Sequence, residues 1–203
     1  MRILNLYAGI GGNRKLWGEE HEIVAVESEQ YIAGVYAALY PNDTVVVADA
    51  HQYLLDHHKE FDFIWSSPPC PTHSRIRMAH KTKNTKPVYP DMKLYEEIIF
   101  LKHFYGGEWV VENVIPYYKP LVEPTATIDR HYVWSSKPIA SKKFDRKYEL
   151  DITRQVGSTQ ILSHEYGIEL PEGTKNQRKL LRNAVHPQFG KYIFETINGT
   201  ELK

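Results

Sequence analysis

Cysteine is almost missing from this sequence: Cys70 stands alone among 203 residues. One thiol cannot close an internal disulfide or build a cysteine-rich zinc site, and the usage fits a reducing, cytoplasmic setting. Long apolar runs are missing too, since no stretch nears the roughly 20 residues that a membrane span needs. The opening MRILNLYAGIGG carries a short apolar segment straight into glycines, which reads as a first strand and not as a secretory leader. Net charge is also missing: 25 Lys and Arg stand against 25 Asp and Glu. That balance argues against a protein that coats polyanions indiscriminately. There is no internal repeat and no low-complexity tract. The length suits one well-buried domain.

What is present is an alternation of short β-like runs and helix-like stretches. RILNLY, EIVAVE, TVVVAD, FDFIWSS and GEWVVENV read as five strands. Between them, RKLWGEEH, SEQYIAGVYAALYP, AHQYLLDHHKE and DMKLYEEIIFLKHF read as helices, with Ser28 a cap and Pro41 a stop for the second. The expected fold is α/β: a mostly parallel, Rossmann-like sheet with helices on both faces. A further strand is expected around Tyr132–Trp134. Ser136 to Asn176 reads as irregular and polar with β-like fragments, and QRKLLRNAVHPQFGKYIFETI returns to a helical pattern. The expected organisation is a core over 1–135, an insert over 136–176 carrying recognition, and a segment over 177–203 packing back on the core. Recognition is placed in the insert because variable loops on a rigid scaffold carry that job.

In a parallel sheet the strand ends share one edge, and chemistry-bearing residues collect there. Gly9 to Gly12 follow the first strand, where an open α/β sheet binds its ligand. The dinucleotide fingerprint would want a glycine where Arg14 stands, so a nicotinamide cofactor fits poorly. Glu27 ends the second strand at the spacing of a ribose-binding carboxylate, and Asp49 ends the third. The alternative is that both acids merely cap the helices that follow. An adenosine-containing ligand without a phosphate anchor suits this edge, and S-adenosylmethionine is the candidate. Cys70, in SSPPCPTHSR, ends the fourth strand, and Glu112, in VVENV, ends the fifth. A thiol and a desolvated carboxyl in one cleft make a plausible nucleophile and acid pair. From Pro71 to Pro90 the chain carries Arg75, Arg77, Lys81, Lys83 and Lys86 with His73 and His80 and no acid. That block is either a phosphate-facing loop or a solvated one. The histidines of DHHK are explained by a solvated helix end, and no metal is expected.

LYAGIGG, SPPC, ENV and RNAV, in that order, resemble the DNA (cytosine-5)-methyltransferases, over most of the chain. The resemblance implies that Cys70 adds to C6 of a flipped cytosine in double-stranded DNA while Glu112 engages N3, with Arg130 as a further catalytic residue. It implies S-adenosylmethionine as cofactor, held by Tyr7, Ala8, Gly9, Gly11, Gly12, Glu27, Asp49 and Asn183. It implies that Ser74, Arg75, Arg77, Lys81 and Lys83 contact DNA.

The sequence departs from the family pattern in four places. Pro71 replaces the glutamine after the PC pair, and Arg182 replaces the glycine before Asn183. Only Arg130 represents the usual arginine pair. The insert is short for a recognition domain, so a protein partner could supply specificity. SPPC also resembles the polar clamp of amino-methyltransferases, which modify exocyclic nitrogens and need no cysteine. That activity, an RNA cytosine methyltransferase and a cofactor-binding subunit without catalysis stay open. The setting expected is a prokaryotic cytoplasm, or a host cytoplasm in which a phage-encoded enzyme acts.

Overall fold

The computed structural model describes residues 1–75, 88–144 and 158–199. Seven strands form one sheet in the order β3-β2-β1-β4-β5-β7-β6. β1 (Arg2–Leu6) lies between β2 (Glu22–Glu27) and β4 (Phe63–Ser66), with β3 (Thr44–Val47) beyond β2 and β5 (Glu108–Val114) beyond β4. These five strands run parallel, so their C-terminal ends meet on one edge. β7 (His131–Ser135) is antiparallel to both β5 and β6 (Ala126–Ile128). The α/β sheet expected from the sequence is the sheet observed.

Alternate residues of each central strand face opposite sides, and both sides are apolar. Ile3, Ile23, Phe63, Trp65 and Val110 share one cluster with Phe189, Ile193, Phe194 and Ile197 of helix α6 (Pro187–Asn198). Leu4, Leu6, Val24, Val26, Ile64 and Val111 face the other way. There they meet Leu54 of α2 (Ala50–His57) and Leu94, Ile98 and Leu101 of α3 (Lys93–Phe104). A third cluster joins Ile10 and Val35 of α1 (Gln30–Leu39) to Leu162 and Tyr166 of α4 (Ser158–Tyr166) and to Leu180 and Leu181 of α5 (Gln177–Asn183).

Three local expectations change. RKLWGEEH makes only a 3-10 turn at Arg14–Leu16, because Gly18 at φ +94 takes the chain into a region closed to continuing helix. The stretch 158–166 lies where β-like fragments were expected and is α4; its Leu162 and Tyr166, four apart, pack inward as one helical face. The closing helical pattern splits at Ala184–His186. Pro187 disfavours helical backbone at His186 and opens α6 as its first residue, with the His186 side chain accepting from Gln188 N–H.

Candidate active site

The glycine turn after β1 is held from several sides. Gly9 N–H donates to the Glu27 carboxylate at 3.0 Å, which also accepts from Glu29 N–H at 3.0 Å. Tyr40 donates to the Gly11 carbonyl at 2.8 Å, and the buried side-chain amides of Asn5 and Asn13 pair behind the turn. Arg14, where a dinucleotide site would need glycine, is 1% exposed. Its guanidinium forks onto Asp43 at 2.9 and 3.1 Å, beside the Tyr36 hydroxyl on the same carboxylate. A buried arginine with such a partner braces the turn against the segment between α1 and β3.

The glycines divide by task. A Cβ on Gly9 would meet nothing within 4 Å, so this residue shows its open face to the cleft. A Cβ on Gly11 would lie 2.4 Å from the Tyr40 ring, and one on Gly12 would lie 2.2 Å from the Val185 carbonyl. Both therefore serve close packing within the chain. Gly12→Ala should cost about 2–3 kcal/mol of stability, the scale of overpacking a rigid site. Gly9→Ala should cost only about 1–2 kcal/mol, for its left-handed backbone, yet should weaken ligand binding more. Denaturant midpoints and titration calorimetry with S-adenosylmethionine separate the two effects.

The other sequence-derived cofactor residues collect around this edge. Ala8 is buried and turns its side chain into the core, so it offers only backbone. Asp49 caps α2, accepting from Gln52 N–H at 2.9 Å, and pairs with Lys93 at 3.2 Å. Asn183 is exposed at the end of α5, two residues before the Val185 carbonyl that packs on Gly12. Tyr7, at φ +55, sends its hydroxyl to Glu97 at 2.6 Å.

Glu97 was not legible as a site residue. It is wholly buried on α3 and also accepts from Ser66, at the end of β4, while His51 of α2 lies 3.1 Å away. One carboxylate thus ties the end of β1 to the end of β4, beneath the two loops that matter most. Burial and the Glu97 charge push the Tyr7 hydroxyl far above its usual pKa. Glu97→Ala strands two hydroxyls, each such loss costing about 1–3 kcal/mol, so a drop of about 3 kcal/mol is expected in urea unfolding. The Glu97 hydrogen bond also raises the pKa of His51. That contribution to stability is complete below pH 6.5 and disappears as pH rises through the folded-state value.

Cys70 stands where β4 gives way to prolines, and its residue surface is exposed. Its carbonyl accepts from His73 N–H at 3.0 Å and Ser74 N–H at 3.1 Å, closing a tight turn. Asn113, buried in β5, donates to the Pro68 carbonyl at 2.8 Å. Ser74 bridges to Pro116, Tyr117 N–H donates to the His73 carbonyl, and Arg75 Nε donates to the Pro116 carbonyl at 3.0 Å. The cysteine loop is therefore stitched along the chain that leaves β5. His73 does not belong to a basic face: it is 1% exposed, bonded to the Tyr118 hydroxyl, and burial lowers its pKa. Arg77, Lys81 and Lys83 lie outside the described residues.

Glu112 is the neighbour that matters to the thiol. It is 6% exposed, and burial lifts its pKa to about 7 despite a hydrogen bond with Ser67. Desolvation raises the Cys70 pKa, and the Glu112 charge raises it further. Glu112 is therefore near enough to Cys70 for its charge to act on the thiol. Arg130, exposed in the turn between β6 and β7, sits at the same edge, because its carbonyl accepts from Ile115 N–H at 3.0 Å just past β5. Among the described residues no group of three or more His, Cys, Asp or Glu side chains is arranged to hold a metal ion, and no helix is long and apolar enough to cross a membrane.

Residues 1–114 match the family model for C-5 cytosine-specific DNA methylase. No curated protein matches the chain. Among solved structures it is similar to a triple mutant of DNMT2 from Spodoptera frugiperda, at 20% identity and TM-score 0.49, covering 70% of this chain and 55% of that one. It is also similar to a SAM-dependent methyltransferase from Agrobacterium tumefaciens, at 13% identity and TM-score 0.42, covering 58% of this chain and 40% of that one. A third is a putative DNA modification methyltransferase encoded within an E. coli prophage, at 18% identity and TM-score 0.37, covering 59% of this chain and 33% of that one. The chain thus spans about half the length of the DNMT2 it matches.

Proposed function

This chain belongs to the C-5 cytosine-specific DNA methylase family, and from that premise we propose that it methylates carbon 5 of cytosine in DNA. The observation that carries the reading is a buried Glu112 carboxyl, pushed by burial up to about 7, whose charge reaches the Cys70 thiol in the loop after β4. The family's methyl donor, S-adenosylmethionine, supplies an electrophilic methyl group on a sulfonium. The residues present fit it. Gly9 has an open face, and Glu27, which accepts from Gly9 N–H, Glu29 N–H and the Ser28 hydroxyl, keeps acceptor capacity on its carboxylate for a ribose hydroxyl. Tyr7, Ala8, Gly11 and Gly12 fix the shape of that turn, with Asp49 and Asn183 beside it.

Carbon 5 of cytosine is a poor nucleophile until the ring's conjugation is interrupted. In the proposed mechanism the Cys70 thiol gives its proton to solvent, and the resulting thiolate adds to C6, forming an S–C bond and moving the C5=C6 electron pair toward C5. Glu112, protonated, holds its proton at N3, where negative charge would otherwise collect. Arg130 is the cation that faces the base. Once C5 carries the methyl group, a base takes the C5 proton and the thiolate leaves, restoring C5=C6 and freeing Cys70. Neither carbon can be reached productively inside the stack, so the cytosine is flipped into the cleft. Ser74, Arg75, Arg77, Lys81 and Lys83 then meet the DNA around it.

Residues 1–135 act as the catalytic core in this reading, 136–176 as a reduced recognition insert, and 177–203 as the segment returning to the core. So short an insert leaves room for a partner protein that supplies specificity. The test is methyl transfer from labelled S-adenosylmethionine to duplex DNA, single-stranded DNA and transfer RNA in competition. Label in duplex DNA, recovered as 5-methylcytosine, is expected. Label confined to RNA would sink the DNA assignment while leaving the chemistry.

A further inference from the structure

Net neutrality poses a problem for an enzyme that must hold a polyanion: its cations have to be concentrated somewhere. The described part of the cysteine loop supplies one exposed cation, Arg75, held through its Nε by the Pro116 carbonyl, because His73 is buried with its pKa lowered. A second concentration lies at the other end of the chain. Between Glu172 and Glu195 the sequence has no acid, while it carries Lys175, Arg178, Lys179, Arg182 and Lys191. A cavity of about 590 Å³ opens here, with Arg178, Lys179 and Arg182 in its wall beside Thr159, Asn176 and Asn183, and no carboxylate among its lining residues. Lys179 and Arg182 are exposed.

The cavity's place in the fold links it to the active edge. α4 and α5 pack on Ile10 of the glycine turn, and Val185, just past α5, packs on Gly12. The end of β1 neighbours the end of β4, which carries the cysteine loop. α5 is therefore anchored on the glycine turn that follows β1, whereas the chain leaving β5 lies beyond β4. Guanidinium and ammonium groups beside hydroxyl and amide donors, without an acid, make an anion surface. The cavity's volume of about 590 Å³ exceeds what one small anion would fill.

We propose that the cavity between α4 and α5 is a phosphate-backbone site, which grips the DNA beside the flipped base. Lys179 and Arg182 make the contacts. The inference rests on the proposed function for the identity of the polyanion, but binding and methylation report on the two separately.

The test measures fluorescence anisotropy of a labelled duplex DNA against salt concentration, for the full chain and for the double variant Lys179→Ala, Arg182→Ala. Each lost phosphate contact lowers the slope of log K against log salt by about 0.9, so the slope should shrink by about 2. Affinity should fall about tenfold at moderate salt. A charge-matched control, Lys59→Ala with Lys102→Ala, changes cations at the opposite edge of the sheet, and its slope should stay at the wild-type value. The KM for DNA should rise in the first variant with kcat retained. An unchanged slope and KM in a folded double variant would overturn the proposal. So would wild-type protein that binds only RNA, or no nucleic acid. If the slope shrinks as expected while no 5-methylcytosine forms, the site stands and the proposed function falls.

Discussion

Cys70→Ala should abolish methyl transfer, by a factor of about 10⁴ or more, while leaving the fold intact. The side chain stands on an exposed loop turn held by backbone hydrogen bonds and by the side chains of Asn113, His73 and Arg75, so stability should move by no more than about 0.5 kcal/mol. Cofactor binding, built on β1 and β2, should be unchanged in calorimetry. Single-turnover assays with duplex DNA measure the loss. The contrast with an amino-methyltransferase is sharp, because a polar clamp attacking an exocyclic nitrogen does not use the thiol. Cys70→Ser would keep substantial activity in that case and almost none in this one.

Glu112→Gln should separate activity from stability, with opposite signs. Loss of the proton donor at N3 should lower kcat by about 10²–10⁴-fold. The folded protein should become more stable at the same time. Burial raises the carboxyl from an unfolded value of 4.5 to about 7, so the native state binds more protons than the unfolded state between those limits. The Glu112 contribution to wild-type stability therefore falls as pH rises from about 4.5 to about 7 and is level above. At 1.36 kcal/mol per pKa unit, the full cost is about 3 kcal/mol. Glutamine carries no charge at any pH. The variant should match the wild type near pH 4 and exceed it by up to about 3 kcal/mol at pH 8, measured by urea unfolding across that range. Removing the charge should also lower the Cys70 pKa, since Glu112 contributes to its elevation. The rate of iodoacetamide alkylation against pH reads that shift directly. A difference in stability between Glu112→Gln and wild type that is flat between pH 4.5 and 7 would contradict the buried-carboxyl account.

The parts of this molecule that were legible in the sequence are those fixed by short-range pattern. Apolar runs such as RILNL and FIWS become the buried parallel strands, and a parallel sheet necessarily brings Gly9, Glu27, Cys70 and Glu112 to one edge. Three-residue β6 was too short to stand out, and α4 lay hidden because its apolar residues are sparse among polar ones. The supports of the site were invisible for a different reason. Arg14 reads as a surface residue until Asp43 and Tyr40 are seen to close over it. Glu97 reads as one acid on an amphipathic helix until Tyr7 and Ser66 converge on it from two strands. Asn113 was read as part of a motif, but its bond to Pro68 depends on how the β4 and β5 ends meet. Each is a tertiary satisfaction of a buried polar group, which no local periodicity records.

The central claim is that Cys70 is the nucleophile of a cytosine-C5 methyl transfer to DNA. It is tested most directly by nucleoside mass spectrometry on DNA from cells expressing the wild type or Cys70→Ala. The account predicts 5-methylcytosine with the wild type and none with the variant. N4-methylcytosine or N6-methyladenine, formed equally by both, would contradict it.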